Sequence, residues 1–214
     1  MQTKNAVCIG KGKPLQKQKS ARKLAMTKST ATIISTVGHP FLLLPVVLSL
    51  LTVRQLPFEK SWPALTAIFG ILAVLGVFLF FRKRKGKISN WDVSAQSERA
   101  SNIYRPVLLL LLLAAALLYF FRQPFVDETL FFALLMAVCY AINTKIKISQ
   151  HTLMATYLSF LMLSASLWAG AAMLIFAPFV GWSRVVLGRH QKDEVLVGGL
   201  VGVVFGLAYL WFFG

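Results

Sequence analysis

Apolar residues run through this chain in long stretches separated by short polar joints. Seven stretches come near the roughly 20 residues that a helix needs to cross a hydrocarbon core of about 30 Å. They lie at about 33–53, 63–81, 106–121, 127–143, 152–168, 171–188 and 193–213. The pattern predicts an all-α polytopic membrane helix bundle with seven transmembrane helices. Six is the alternative, if the fifth and sixth stretches, joined at Trp168-Ala169-Gly170, are not both full crossings. Pro40, Pro45 and Pro178 lie inside or near these stretches and predict local kinks. Residues 1–30 hold eight Lys/Arg, no acid and no long apolar run, which predicts a disordered basic tail before a membrane-embedded domain over 31–214. No apolar core follows these charges closely, so the tail is not a secretory signal. Met26 is an alternative start, and an organelle transit peptide is a further reading of the leader.

Composition supports the membrane reading. Hydrophobic residues make up 57% of the 214, above the 45–50% of soluble domains. A net charge of +16 would suggest nucleic acid as partner in a soluble protein. Here the basic residues flank the apolar stretches, so anionic lipid headgroups and topology account for them, and no nucleic-acid partner is expected. Cys8 and Cys139 form no CxxC pair, so neither a disulfide framework nor a zinc site is indicated.

Seven alternating spans assign every loop to one of two faces. Of the 23 Lys and Arg, Arg54, Lys60 and Arg122 fall on one face and the other 20 on the opposite one. Cytoplasmic loops carry the excess of Lys/Arg, so the richer face is expected to be cytoplasmic. The same assignment places His39, His151 and His190 on that face, together with Arg99, Arg105 and Arg184. No other region gathers titratable groups in this way, which makes it the candidate site.

The residue types suggest phosphate chemistry. Guanidinium forks bind phosphate oxygens bidentately, and a neutral imidazole is a nucleophile near pH 7. Glu194 follows His190 by four residues, which on a helix puts both on one face and lets the carboxylate orient the ring. Asp193, at three residues, offers the same. His151 is a candidate general acid. No group of carboxylates resembles a magnesium cage, so no metal and no cofactor is expected. His39, in Gly38-His39-Pro40, reads as the bent start of a helix. Gly198, Gly199, Gly202 and Gly206 read as small residues that allow close helix packing.

Ser183-Arg184, His190 and the acid four residues further on resemble the third motif of the type 2 phosphatidic acid phosphatase superfamily. The VLVGGLVG that follows resembles that family's glycine-rich last span. Ser149-Gln150-His151 is similar to its second motif, Pro-Ser-Gly-His, with Ile148 and Gln150 in place of the proline and glycine. Arg105-Pro106 matches the dipeptide of the first motif, while Glu98 stands where that motif has Lys. The segment SNWDVSAQSERASNIYRP looks like a variant loop of some bacterial members. The resemblance covers roughly residues 85–213. It implies a metal-independent hydrolase acting on a lipid phosphomonoester or diphosphate through a phosphohistidine. His190 would attack, Glu194 would orient it, and His151 would serve as acid and then base. Arg184, Arg99 and the Ser149 and Gln150 region would hold the phosphate, with Ser183 and Arg105 beside them. Lys145, Lys147 or Arg105 would replace the missing motif lysine.

The expected setting is a bacterial-type plasma membrane. Many members of the family are thought to face outward, so charge and resemblance point to opposite sides for the site. The competing expectation is a catalytically degenerate membrane protein that binds lipid or acts as scaffold or transporter. A transporter fits less well, because no inverted repeat and no charge deep inside a span is visible.

Overall fold

The computed structural model describes residues 14–89, 93 and 95–214. All regular structure among them is helical: α1 Pro14–Val37, α2 Pro40–Gln55, α3 Phe58–Arg84, α4 Gln96–Arg99, α5 Arg105–Phe120, α6 Val126–Asn143, α7 Gln150–Ala165, α8 Leu167–Val186 and α9 Lys192–Phe213. A single π-helical turn, Ala100–Tyr104, welds α4 to α5. Of the basic tail expected over 1–30, residues 1–13 lie outside the described residues and 14–30 belong to α1.

Among the described residues, five helical segments are long and apolar enough to cross a membrane, and a sixth is obtained if the α1–α2 pair counts as one broken span. That pair bends by 42° at Gly38-His39. The bend has two causes. His39 is extended (φ −70°, ψ 132°), and Pro40 at the first position of α2 lacks the N–H that would continue the α1 ladder. Pro45 and Pro178 lie inside α2 and α8. The expected count of seven is not met by length, because α7 has only 16 residues, about 24 Å at 1.5 Å per residue.

α7 is nonetheless the centre of the bundle. Every residue from His151 to Met162 is buried, whichever way it faces. A helix covered on all sides belongs to a core rather than to a lipid-facing surface. α2, α8 and α9 pack directly on it, while α1 lies along α8. Glycines in α9 permit the closest of these approaches. A Cβ on Gly202 would lie 2.8 Å from the Leu153 carbonyl oxygen, and one on Gly206 would enter the Phe160 ring. Gly198, Gly202 and Gly206 are spaced by four, so they form one face of α9 against α7. Gly199 lies off that stripe, and its Cβ would meet only Thr152 at 3.8 Å. The α7–α8 turn is equally tight: a Cβ on Gly170 would lie 2.6 Å from Leu163, and Ser166 is extended between the helices.

These contacts set the site. α6 and α8 end at the same end of the bundle at which α5, α7 and α9 begin, and the α1–α2 bend lies beside them.

Candidate active site

The start of α9 is pinned to the start of α7 by a backbone hydrogen bond, Ser149 N to the Glu194 carbonyl at 3.1 Å. α9 begins with a capping box, in which the Glu194 carboxylate accepts from Gln191 N at 3.2 Å. The same Oε2 lies 2.7 Å from His190 Nδ1 and 3.8 Å from Lys147 Nζ. The helix cap therefore fixes the carboxylate that fixes the histidine. The structure pairs His190 with Glu194 and leaves Asp193 exposed.

On its other side, His190 Nε2 lies 3.3 Å from Arg99 Nη2. Guanidinium groups only donate hydrogen bonds. Nε2 is thus the acceptor, and the ring proton sits on Nδ1, where Glu194 accepts it. The imidazole carries its lone pair at Nε2, facing a cation. Arg99 is buried and also donates to main chain, from Nε to the Val93 carbonyl at 3.0 Å and from Nη1 to the Ile148 carbonyl at 2.5 Å, with Tyr104 as a further side-chain partner. The π-turn that follows Arg99 buries Asn102 and Tyr104, and π-turns recur at functional sites. Gln150 Nε2 donates to the Tyr104 hydroxyl at 2.8 Å.

Lys147 closes the cluster, donating to the Arg189 carbonyl at 2.7 Å. Burial lowers the pKa of its ammonium from the ordinary value. Glu194 opposes the shift, while Arg99, Arg184 and Arg189 reinforce it. Three guanidinium groups thus lie close enough to Lys147 to disfavour its charge, which makes this end of the bundle electropositive and attractive to an anion.

Arg184, 2% exposed, donates from Nη1 to Ser35 Oγ at 2.7 Å. Gly188, at φ 65°, ends α8 in a left-handed turn, and Arg189 N reaches back to the Arg184 carbonyl at 2.9 Å. This turn brings His190 back beside Arg184. A cavity of about 250 Å³ opens here between α1 and the end of α8. Thr32, Ser35, Thr36, His39, Arg184 and Arg189 line it. His39 also packs edge-on against His151, with ring centroids 4.7 Å apart. His151 is buried at the second position of α7.

The expected phosphate ligands divide in two. Arg99, Arg184 and Gln150 lie at the site. Ser149 Oγ is buried against Thr152 Oγ1 at 3.0 Å, and Ser183 Oγ donates to its own helix at Val180 O, 2.6 Å. Arg105 is exposed and donates to the Tyr140 hydroxyl at 3.3 Å. It reaches the site only indirectly, because Tyr140 stacks on Tyr104 at 5.5 Å. Glu98, at the motif-lysine position, accepts from Ser89. Lys147, one of three residues expected to replace that lysine, is the one in contact with Glu194, whereas Lys145 is exposed. In the chain His39 reads only as a helix start on this face, and the hydroxyl-bearing face of α1 carries no expectation. Their signal was Thr32, Ser35 and Thr36 at helical spacing just before a histidine. No protein-family model, curated protein or solved structure matches the chain.

Proposed function

We propose that this protein is an integral-membrane lipid phosphatase that hydrolyses a phosphomonoester or diphosphate of an amphiphile through a phosphohistidine. The observation that carries this reading is the placement of His190, with Nδ1 2.7 Å from Glu194 Oε2 and Nε2 3.3 Å from Arg99 Nη2, which favours the tautomer with its lone pair at Nε2. That is the protonation state a nitrogen nucleophile needs, next to the charge its target would seek. A phosphoryl group drawn between Arg99, Arg184 and Lys147 would place phosphorus at Nε2. The Nε2 lone pair forms an N–P bond as the P–O bond to the lipid breaks, and His151 protonates the departing oxygen. Glu194 stabilises the imidazolium that develops. Water then gives a proton to His151 and attacks phosphorus. The N–P bond breaks, returning its electron pair to His190 and releasing inorganic phosphate. A site at the end of the bundle suits a substrate whose tail remains in the bilayer. Phosphatidate, phosphatidylglycerophosphate and polyprenyl diphosphates are all compatible.

Purified protein in detergent is expected to release inorganic phosphate from at least one of these lipids with magnesium chelated, and His151→Ala is expected to slow release by about 10²–10⁴-fold. Turnover that requires magnesium, or that is unchanged in His151→Ala, would overturn the mechanism.

A second reading is a degenerate, non-catalytic relative that binds lipid without turning it over. It is favoured by the commitment of the Ser149 and Ser183 hydroxyls to the fold and by the distance of Arg105. Binding of lipid phosphate with no release from any of the three lipids would select it.

In this reading α7 counts as a short seventh crossing, and the site lies on the Lys/Arg-rich, cytoplasmic face of a bacterial-type plasma membrane. Gln191 is exposed. In intact cells, Gln191→Cys in a background without Cys8 and Cys139 should resist a membrane-impermeant maleimide until the membrane is opened. Labelling from outside would reverse the topology.

A further inference from the structure

The cavity between α1 and α8 has a chemistry of its own. Arg184 and Arg189 line it, and no acid does. Two of its three hydroxyls turn their protons to their own helix: Thr32 Oγ1 donates to Lys28 O and Thr36 Oγ1 to Thr32 O, both at 2.9 Å. The third, Ser35 Oγ, accepts from Arg184. The cavity's charge is therefore positive, and its volume of about 250 Å³ falls below the 300–1,000 Å³ of sites that hold drug-sized ligands. It has room for a phosphoryl group with a small headgroup.

His39 belongs to this wall, and the fold selects its tautomer. As the N-cap of α2 it accepts a hydrogen bond from Phe41 N at Nδ1, 3.2 Å. A backbone N–H can only donate, so Nδ1 carries the lone pair and the ring proton is on Nε2. The cap thus makes His39 a fixed donor, placed against His151 and in the same cavity as Arg184.

We propose that His39 is a substrate-binding residue, donating from Nε2 to a phosphoryl oxygen of a lipid headgroup that Arg184 also holds. The inference rests on the phosphate reading of the site. It gives the α1–α2 bend a task beyond topology, since the bend is what carries the histidine into the cavity.

Two substitutions separate the donor from the cap. His39→Asn keeps an oxygen where Nδ1 stands, and Asn is a preferred N-cap, but it loses the Nε2 donor. His39→Gln extends a donor to the Nε2 position and loses the cap. Binding of inorganic phosphate to full-length protein in detergent is measured by calorimetry, and binding of phosphatidate in mixed micelles alongside it. Thermal midpoints are recorded for each variant. For His39→Asn the expected result is a Kd about tenfold weaker, the loss of one charge-assisted bond, at an unchanged midpoint. For His39→Gln it is a Kd within about twofold of wild type at a lowered midpoint. Weakening for both ligands supports a phosphoryl subsite open to free phosphate. Weakening for phosphatidate alone supports one that requires the lipid. Wild-type Kd values in His39→Asn, equal weakening in both variants, or no binding of either ligand by wild type would overturn the proposal. His39-dependent binding without turnover would sink the phosphatase reading and leave the subsite standing. Turnover with His39-independent binding would do the reverse.

Discussion

His190→Ala is expected to lower phosphate release by about 10³-fold or more, with a thermal midpoint close to wild type. Loss of the nucleophile removes the N–P intermediate, and none of the neighbouring cations can replace it. Lys147 is a cation bonded to the Arg189 carbonyl, and Arg99 and Arg184 have no lone pair to offer. Glu194→Gln is the more discriminating partner variant. The amide remains able to accept from Gln191 N and so to cap α9. It no longer stabilises the imidazolium that forms at Nδ1 when Nε2 bonds to phosphorus. Its kcat should fall by about 10²-fold or more while KM changes little, because Glu194 touches His190 rather than the proposed phosphate ligands. Wild-type kcat in His190→Ala would exclude His190 as the attacking group, and wild-type kcat in Glu194→Gln would exclude the carboxylate's part in stabilising it.

The polar joints of this chain are more legible than its spans. Arg99, Arg184, His190 and Glu194 stand out in the sequence because each is a charged or titratable residue at the edge of an apolar run. The structure brings all four to one end of the bundle. Positions three and four residues on lie on the same helical face, and the resemblance chooses Glu194 over Asp193. The structure supplies a physical reason for that pairing: Gly188 reverses the chain after α8, and the capping box presents Glu194 to the ring. The two serines were misleading for a physical reason. Ser and Thr on helices readily bond their own backbone. Ser183 does so at Val180, while Ser149 is spent on the Thr152 hydroxyl, and a serine's place in a motif says nothing about either. His39 was read as a bent helix start, and it is one. Its second environment comes from α1 lying along α8, a long-range packing that no local pattern encodes. The same holds for α7. Its apolar run reads as another crossing, whereas the fold buries it on every side and keeps it short.

The glycine stripe of α9 connects that burial to the chemistry, and Gly198→Ala tests the connection. The added Cβ would lie 2.7 Å from the Ser149 carbonyl oxygen, which accepts the first hydrogen bond of α7 from Leu153 N at 3.0 Å. Overpacking of this kind costs about 1–3 kcal/mol, while alanine in a helix gains up to about 1 kcal/mol over glycine. The net expectation is a loss of about 1–2 kcal/mol. Gly199→Ala makes the same propensity gain with no contact closer than 3.8 Å, so its midpoint should hold or rise. Activity should part the two further. Relief of the clash requires α9 to move off α7 at the level of the Ser149–Glu194 backbone bond, and that shift carries Glu194 and His190 with it. Misplacement by about 1 Å costs on the order of 10²-fold in rate. Gly198→Ala should therefore lose far more activity at room temperature than its stability loss would explain, and Gly199→Ala should lose almost none. Equal midpoints and equal rates for the two variants would show that the α7–α9 seam does not set the geometry of the site.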